Sequence, residues 1–158
     1  MYGLRRILRN RPNAVSEIIG SRYYPQISGR VMFYQTEKGV LVCTSLSGLP
    51  VNEAICQNHI FAIHIHEGEK CSGTKDDPFA DAKTHYKPYD CPHPYHSGDM
   101  PPLFGNDGEA FSVFLTNRFT IEDIIDKTVV VHSGYDDFTS QPAGNSGEKI
   151  GCGVIKKL

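Results

Sequence analysis

The residues in this sequence best suited to chemistry are histidines with recurring short spacings. Phe61-Ala62-Ile63-His64-Ile65-His66-Glu67-Gly68 sets two imidazoles two residues apart in an alternating apolar run. Such alternation reads as a β-strand, and side chains two apart on a strand share a face. Phe61, Ile63 and Ile65 then point toward a core, and Ala62, His64 and His66 point away from it. His-x-His alone suits a metal ion or an ordinary solvated strand face. Further on, seven residues separate His85 from His93, two separate His93 from His96, and two separate His96 from Asp99. Three imidazoles and a carboxylate have the ligand types and count of a closed zinc site, although a histidine-rich surface loop would look similar. His132 ends the β-branched run Thr128 to His132, where its side chain would reach a rim; a hydrogen-bonded core histidine is the competing reading. Together, His64, His66, His85 and His132 form an all-imidazole set that suits copper. His85 belongs to both sets, and an imidazole stripped of both protons can bind a metal through each ring nitrogen.

The segments that must position these groups are short strands and long loops. Ala14 to Ile19, Ile27 to Gln35 and Gly39 to Ser45 read as strands, the last two joined at Glu37-Lys38-Gly39. His59 to Glu67 reads as one strand. From Gly68 to Pro102 the periodicity vanishes, and a loop of about 35 residues in a compact domain is usually functional or disordered. It contains His85, His93, His96 and Asp99, and is read as a loop shaped by metal rather than by a core. Leu103-Phe104 and Glu109 to Leu115 flank Asn106-Asp107-Gly108, a hairpin signal. Thr120 to Asp126 suits a single helical turn. Thr128 to His132 and Ile150 to Ile155 read as strands around a second irregular loop.

At 158 residues, with 15 glycines, 10 prolines and no tryptophan, the chain suits one all-β domain, a barrel or sandwich of antiparallel strands. Residues 1–13 read as a basic N-terminal arm and 14–158 as the domain. The net charge of -2 offers nothing to nucleic acid. No apolar run is long enough for a transmembrane helix. Met1 to Pro12 lacks the apolar stretch of a secretory signal, so the expectation is a cytoplasmic protein, or an extracytoplasmic one whose leader has been removed. Five cysteines leave at least one thiol free in a monomer.

The motifs HIHEGEKC (His64–Cys71), HYKP (His85–Pro88), HSGDM (His96–Met100), VVHSGYDD (Val130–Asp137) and GNSGEKIGCGVI (Gly144–Ile155) resemble the copper–zinc superoxide dismutase family, with the short loops of bacterial members. The resemblance spans about Ala14 to Ile155. It implies a Greek-key β-barrel of roughly eight strands that dismutes superoxide to oxygen and hydrogen peroxide. Copper would be held by His64, His66, His85 and His132, and zinc by His85, His93, His96 and Asp99. The His85 bridge would open when copper is reduced and pass a proton to the reduced substrate. Asp136 would hydrogen-bond His64 and His93, and Cys71 would pair with Cys152. Cys43 and Cys56 are then inert apolar side chains, and Cys91 is a loop thiol or a rival zinc ligand.

Two departures from the family stand out. Lys149, after Glu148, occupies the position of the family's arginine at the mouth of the copper site; a lysine attracts an anion but lacks the planar fork of donors. The chain between His93 and His96 is also much shorter than the family's usual zinc loop. Glu148 and Lys149 sustain an alternative, a weak or inactive copper- or zinc-binding relative or scaffold, and the short loop bears on zinc geometry and affinity. A homodimer is compatible with the exposed apolar strand faces, and His59 is assigned no ligand role.

Overall fold

The computed structural model describes residues 7–52 and 60–158; Cys56 and His59 lie outside them. The described strands are β1 (Ala14–Gly20), β2 (Ser28–Thr36), β3 (Gly39–Ser47), β4 (Ile60–Phe61), β5 (Ile63–His66), β6 (Leu103–Asn106), β7 (Glu109–Thr116), β8 (Thr128–His132) and β9 (Lys149–Lys157). A short α-helix, α1 (Ile121–Ile124), directly precedes β8, and a single 3-10 turn (Ala80–Ala82) lies between β5 and β6. No helix among the described residues is long and apolar enough to cross a membrane.

All pairings between these strands are antiparallel, in the order β4-β6-β7-β3-β2-β1-β9-β8-β5. β4 and β5 stand at opposite ends of that order but are separated in the chain by Ala62 alone. One residue thus carries the chain from the last strand to the first and nearly closes the barrel. The single strand expected from His59 to Glu67 is therefore two strands. At Ala62 the backbone leaves the ladder and bonds to the β8 end, with Ala62 N–H donating to Gly134 O at 2.7 Å and His132 N–H to Ala62 O at 2.9 Å.

Local chemistry sets the element ends. Asp107 and Gly108 have φ of 50° and 80°, the two positive values that a tight β-hairpin requires, and they join β6 to β7. Thr120 and Asp123 form a capping box, Thr120 N–H donating to Asp123 Oδ2 at 2.8 Å and Asp123 N–H to Thr120 Oγ1 at 3.3 Å. This satisfies two amide donors that a helix start otherwise leaves without partners, and starts α1.

The barrel interior is filled by alternate residues, among them Ile18, Val31, Phe33, Val42, Phe61, Ile63, Ile65, Val129, Val131, Ile150 and Ile155. Phe61, Ile63 and Ile65 do share the core face. The opposite faces of β5 and β8 are not solvated, however. Val130 and Cys152 are covered by Phe79 and Ala82 from the Gly68–Pro102 loop, and His64 and His66 are buried. The loop thus makes a second layer over one side of the barrel, and the histidine face lies between the layers. Ile7 and Leu8 are partly buried against Tyr34, Leu41 and Cys43 elsewhere on the barrel.

Candidate metal centre

The loop reaches the histidines by extending the sheet past β5. Tyr86 N–H donates to Ile65 O at 2.8 Å, Ile65 N–H to Gly98 O at 2.9 Å, and Gly98 N–H to Tyr86 O at 2.9 Å. His66 lies opposite His85 and His64 opposite Asp99 in isolated bridges. Strand-like pairing thus brings loop residues into the row of side chains that β5 already presents. A Cβ on Gly98 would collide with the Ile65 carbonyl, so glycine is required where the loop crosses the strand. His132 enters from β8, where the register with β9 shifts between Val131 and His132; such an irregularity re-aims a side chain at a barrel rim.

Two groups result. In one, the candidate ligand atoms of His64, His66, His85 and His132 all lie within 4.8 Å of each other; in the other, those of His85, His93, His96 and Asp99 do. Every member is buried, and His85 is common to both. All the histidines named from the sequence except His59 are therefore brought together, with Asp99. Cys91 is a partly exposed free thiol outside both groups, and Cys43 is buried and free.

Hydrogen bonds engage one nitrogen in most of these rings, His85 Nδ1 meeting Asp99 Oδ1 at 2.7 Å. His64 Nε2 and His93 Nε2 donate to the two carboxylate oxygens of Asp136, each at 2.8 Å. His66 Nδ1 donates to Lys83 O at 2.9 Å, and His132 Nδ1 to Gly147 O at 3.4 Å. The nitrogens left over face one another. His64 Nδ1, His85 Nε2, His93 Nδ1 and His96 Nδ1 are buried without a hydrogen-bond partner. His93 Nδ1 and His96 Nδ1 lie 3.1 and 3.4 Å from Asp99 Oδ2 but lack hydrogen-bond geometry. His66 Nε2 and His132 Nε2 are 3.3 Å apart, and with both Nδ1 atoms protonated each offers the other only a lone pair. Buried polar atoms without partners are costly, and several lone pairs aimed at one point need a cation. The donor set fits: one group is all imidazole nitrogen, the other imidazole with one carboxylate, the chemistries suited to copper and zinc.

Burial favours the neutral form of His64, His66 and His132, the form that binds metal. It pushes His64 down to about 4 against the opposing pull of Asp136. It pushes His132 down to about 3, helped by the neighbouring His64 and His85. His66 is driven well below its ordinary range by burial, then by His132 and His85. For Asp136, burial alone would raise the carboxyl, but hydrogen bonds from His64, the Phe138 N–H and His93 outweigh it and hold the group ionised. Asp99 is likewise lowered, burial being outweighed chiefly by its hydrogen bond with His85.

A cleft of about 370 Å³, lined by His66, Lys83, His85, Lys87, His132 and Lys149 among others, opens onto the all-imidazole group. Lys149 does not face it as a free cation. Its ammonium donates to Asp77 Oδ2 at 2.6 Å and Phe79 O at 3.3 Å, and its side chain is 17% exposed against 44% for Asp77. Asp77, Lys83 and Gly147 were not singled out from the sequence. Lys83 and Gly147 act through backbone carbonyls, which carry no sequence signal, and Asp77 meets Lys149 only through loop packing.

Cys71 and Cys152 form a disulfide with Cα atoms 5.6 Å apart. Cys152 pairs with Val130, and Val130 with His64, so the bridge anchors the loop in the strand row that carries His64.

The family model described as copper/zinc superoxide dismutase (SODC) matches residues 27–155. A copper–zinc superoxide dismutase of Aquifex aeolicus is 34% identical over 146 residues, covering 83% of this chain and 80% of that protein. One from Escherichia coli is 33% identical over 153 residues, covering 88% and 84%. The solved structure of a Cu/Zn superoxide dismutase from Brucella abortus superposes with a TM-score of 0.76 at 23% identity, over 90% of this chain and 99% of that one. At that identity the structural likeness bears on the fold.

Proposed function

The chain belongs to the copper/zinc superoxide dismutase family, and from that membership we infer that it converts two superoxide anions and two protons to dioxygen and hydrogen peroxide. His64, His66, His85 and His132 would hold copper; His85, His93, His96 and Asp99 would hold zinc. When bound, copper supplies a one-electron couple that oxidises one superoxide and reduces the next, and zinc supplies a fixed charge without redox chemistry of its own. The chain's residues do the rest. Asp136 orients His64 and His93 together and so couples the two groups; such outer carboxylates fix ring tautomer and direction. His85, facing one group through each nitrogen, is the side chain suited to deliver a proton from Nε2 into the cleft. Lys149, with Lys83 and Lys87 on the same cleft, attracts the anion.

The observation that carries this reading is the set of buried, unpartnered ring nitrogens aimed into two groups that share His85. The test is superoxide dismutation by protein loaded with both metals, compared with protein loaded with zinc alone and with His85→Ala. Activity only in the first supports the reading; none in any form leaves a metal-binding protein or scaffold. The Cys71–Cys152 bridge supports an oxidising compartment over the cytoplasmic expectation, because cytosolic thiols are kept reduced. Phe104 and Phe111, 70% and 68% exposed on the neighbouring strands β6 and β7, support pairing of two copies through that face. Sedimentation of the protein checks this, and a strictly monomeric species counts against it.

A further inference from the structure

His93, His96 and Asp99 lie on a stretch with no strand or helix, and only a short length of chain joins them. Its backbone is tied at a few points: Tyr95 N–H to Pro92 O at 2.9 Å, Asp99 N–H to His96 O at 3.2 Å, Gly98 to Tyr86 and Ile65, and His96 N–H to Asp99 Oδ2 at 3.0 Å. These bonds leave His93 and Pro94 without a backbone–backbone partner among the described residues, and each backbone residue left free costs about 1–2 kcal/mol to immobilise.

Two side chains from outside the stretch supply what it lacks. Arg118, between β7 and α1, donates from a single nitrogen, Nη1, to Pro94 O at 3.1 Å, His96 O at 3.3 Å and Asp99 O at 3.3 Å. Three carbonyl dipoles converging on one point repel one another, and a guanidinium is the charge that offsets them. Gln141, between β8 and β9, takes both backbone groups of His93. Its Nε2 donates to His93 O at 2.7 Å, and His93 N–H donates to its Oε1 at 3.0 Å. Each zinc-side residue of the stretch is thus pinned through its own main chain, His93 by Gln141, and His96 and Asp99 by Arg118. None of these bonds uses a ligand atom, so the clamps leave the side chains free to face a metal.

We propose that Arg118 and Gln141 are positioning residues for zinc, holding the short His93–Asp99 stretch in its ligand-presenting shape where a longer loop would hold itself. The proposal rests on the zinc reading above, and its test separates the two. Metal-free wild type, Arg118→Gln, Arg118→Lys and Gln141→Ala are titrated with zinc against a competing chelator. Cobalt is titrated in parallel, because its visible absorption reports tetrahedral ligation. Copper affinity and the unfolding midpoint of each metal-free protein are measured alongside.

Arg118→Gln and Gln141→Ala are expected to lose zinc affinity by about 10–100-fold, the range for residues that orient ligands, and to weaken the cobalt absorption. Their copper affinity and metal-free midpoint are expected to stay at wild-type values. Arg118→Lys, whose ammonium keeps a positive charge and donor hydrogens on one nitrogen, is expected to bind zinc more tightly than Arg118→Gln. Wild-type zinc affinity in both Arg118→Gln and Gln141→Ala overturns the clamp, as does a zinc loss matched by an equal fall in the metal-free midpoint. A wild type that does not bind zinc overturns the metal reading itself.

Discussion

Lys149 shows how one neighbour changes what a charged residue can do. It borders the same cleft as His66, His85 and His132, yet Asp77 sits 2.6 Å from its ammonium. Part of the field it would offer an incoming anion is therefore cancelled before the anion arrives. Arginine at that position would keep donors free around a planar group while still meeting Asp77. Lys149→Arg is expected to raise kcat/KM for superoxide by about 2–10-fold, a modest share of what steering can supply. The gain should shrink as added salt shortens the screening length; an equal or slower variant at low salt would contradict the argument. The buried imidazoles make a second prediction, for metal-free protein. His64 and His132 are held near 4 and 3 in the folded chain and return to about 6.5 when unfolded. As pH falls below 6.5 the unfolded chain takes up protons that the folded one refuses, so stability falls with pH. Their contribution is fully present above pH 6.5 and is lost progressively toward pH 3. Urea unfolding of metal-free protein should show a lower midpoint at pH 5 than at pH 7.5, and a flat profile would refute the assignment.

The elements around the centre matter through close approach more than through regular structure. β5 is only four residues long, yet it carries two of the candidate copper ligands and, through its bridges to His85 and Asp99, fixes the loop that supplies His85, His93, His96 and Asp99. The β8–β9 loop closes from the other side. Gly144 lies there with φ of +67°, and a Cβ at that position would collide with the Asp136 carboxylate and meet His93 Nε2 at 2.8 Å. Its missing side chain is what lets Asp136 reach both rings. Gly144→Ala should therefore displace Asp136 and weaken binding of both metals by about 10–100-fold, as read by chelator competition for each. A variant that loses neither would show that Asp136 is not the coupling residue.

At the scale of the whole molecule, two closures hold the layers together. One is the barrel seam at Ala62, where chain neighbours stand at opposite ends of the strand order. The other is the Cys71–Cys152 bridge, which ties residues 81 apart. A cross-link that long removes enough freedom from the unfolded chain to stabilise the fold by about 4–5 kcal/mol in the chain-entropy account. Reduction should lower the urea midpoint accordingly. It should also loosen the loop that covers Val130 and Cys152, which hydrogen exchange at Phe79 to Lys83 would detect. An unchanged midpoint after complete reduction would show that the barrel alone fixes the loop.

The kinds of ligand and their spacing were already written in the chain. So were most strands, the turn at Asp107-Gly108 and the helical turn within Thr120 to Asp126. All rest on local rules, namely the two-residue period of a strand, the positive φ of a tight turn, and donors unmet at a helix start. The motif likeness extended that reading to nearly the whole sequence. What depended on tertiary structure is of another kind. The break at Ala62, the pairing of Asp77 with Lys149, the carbonyls of Lys83 and Gly147, and the grip of Arg118 and Gln141 on the His93–Asp99 stretch join groups far apart in sequence. Such contacts follow from where the loops pack once the barrel has closed, and no local periodicity encodes that.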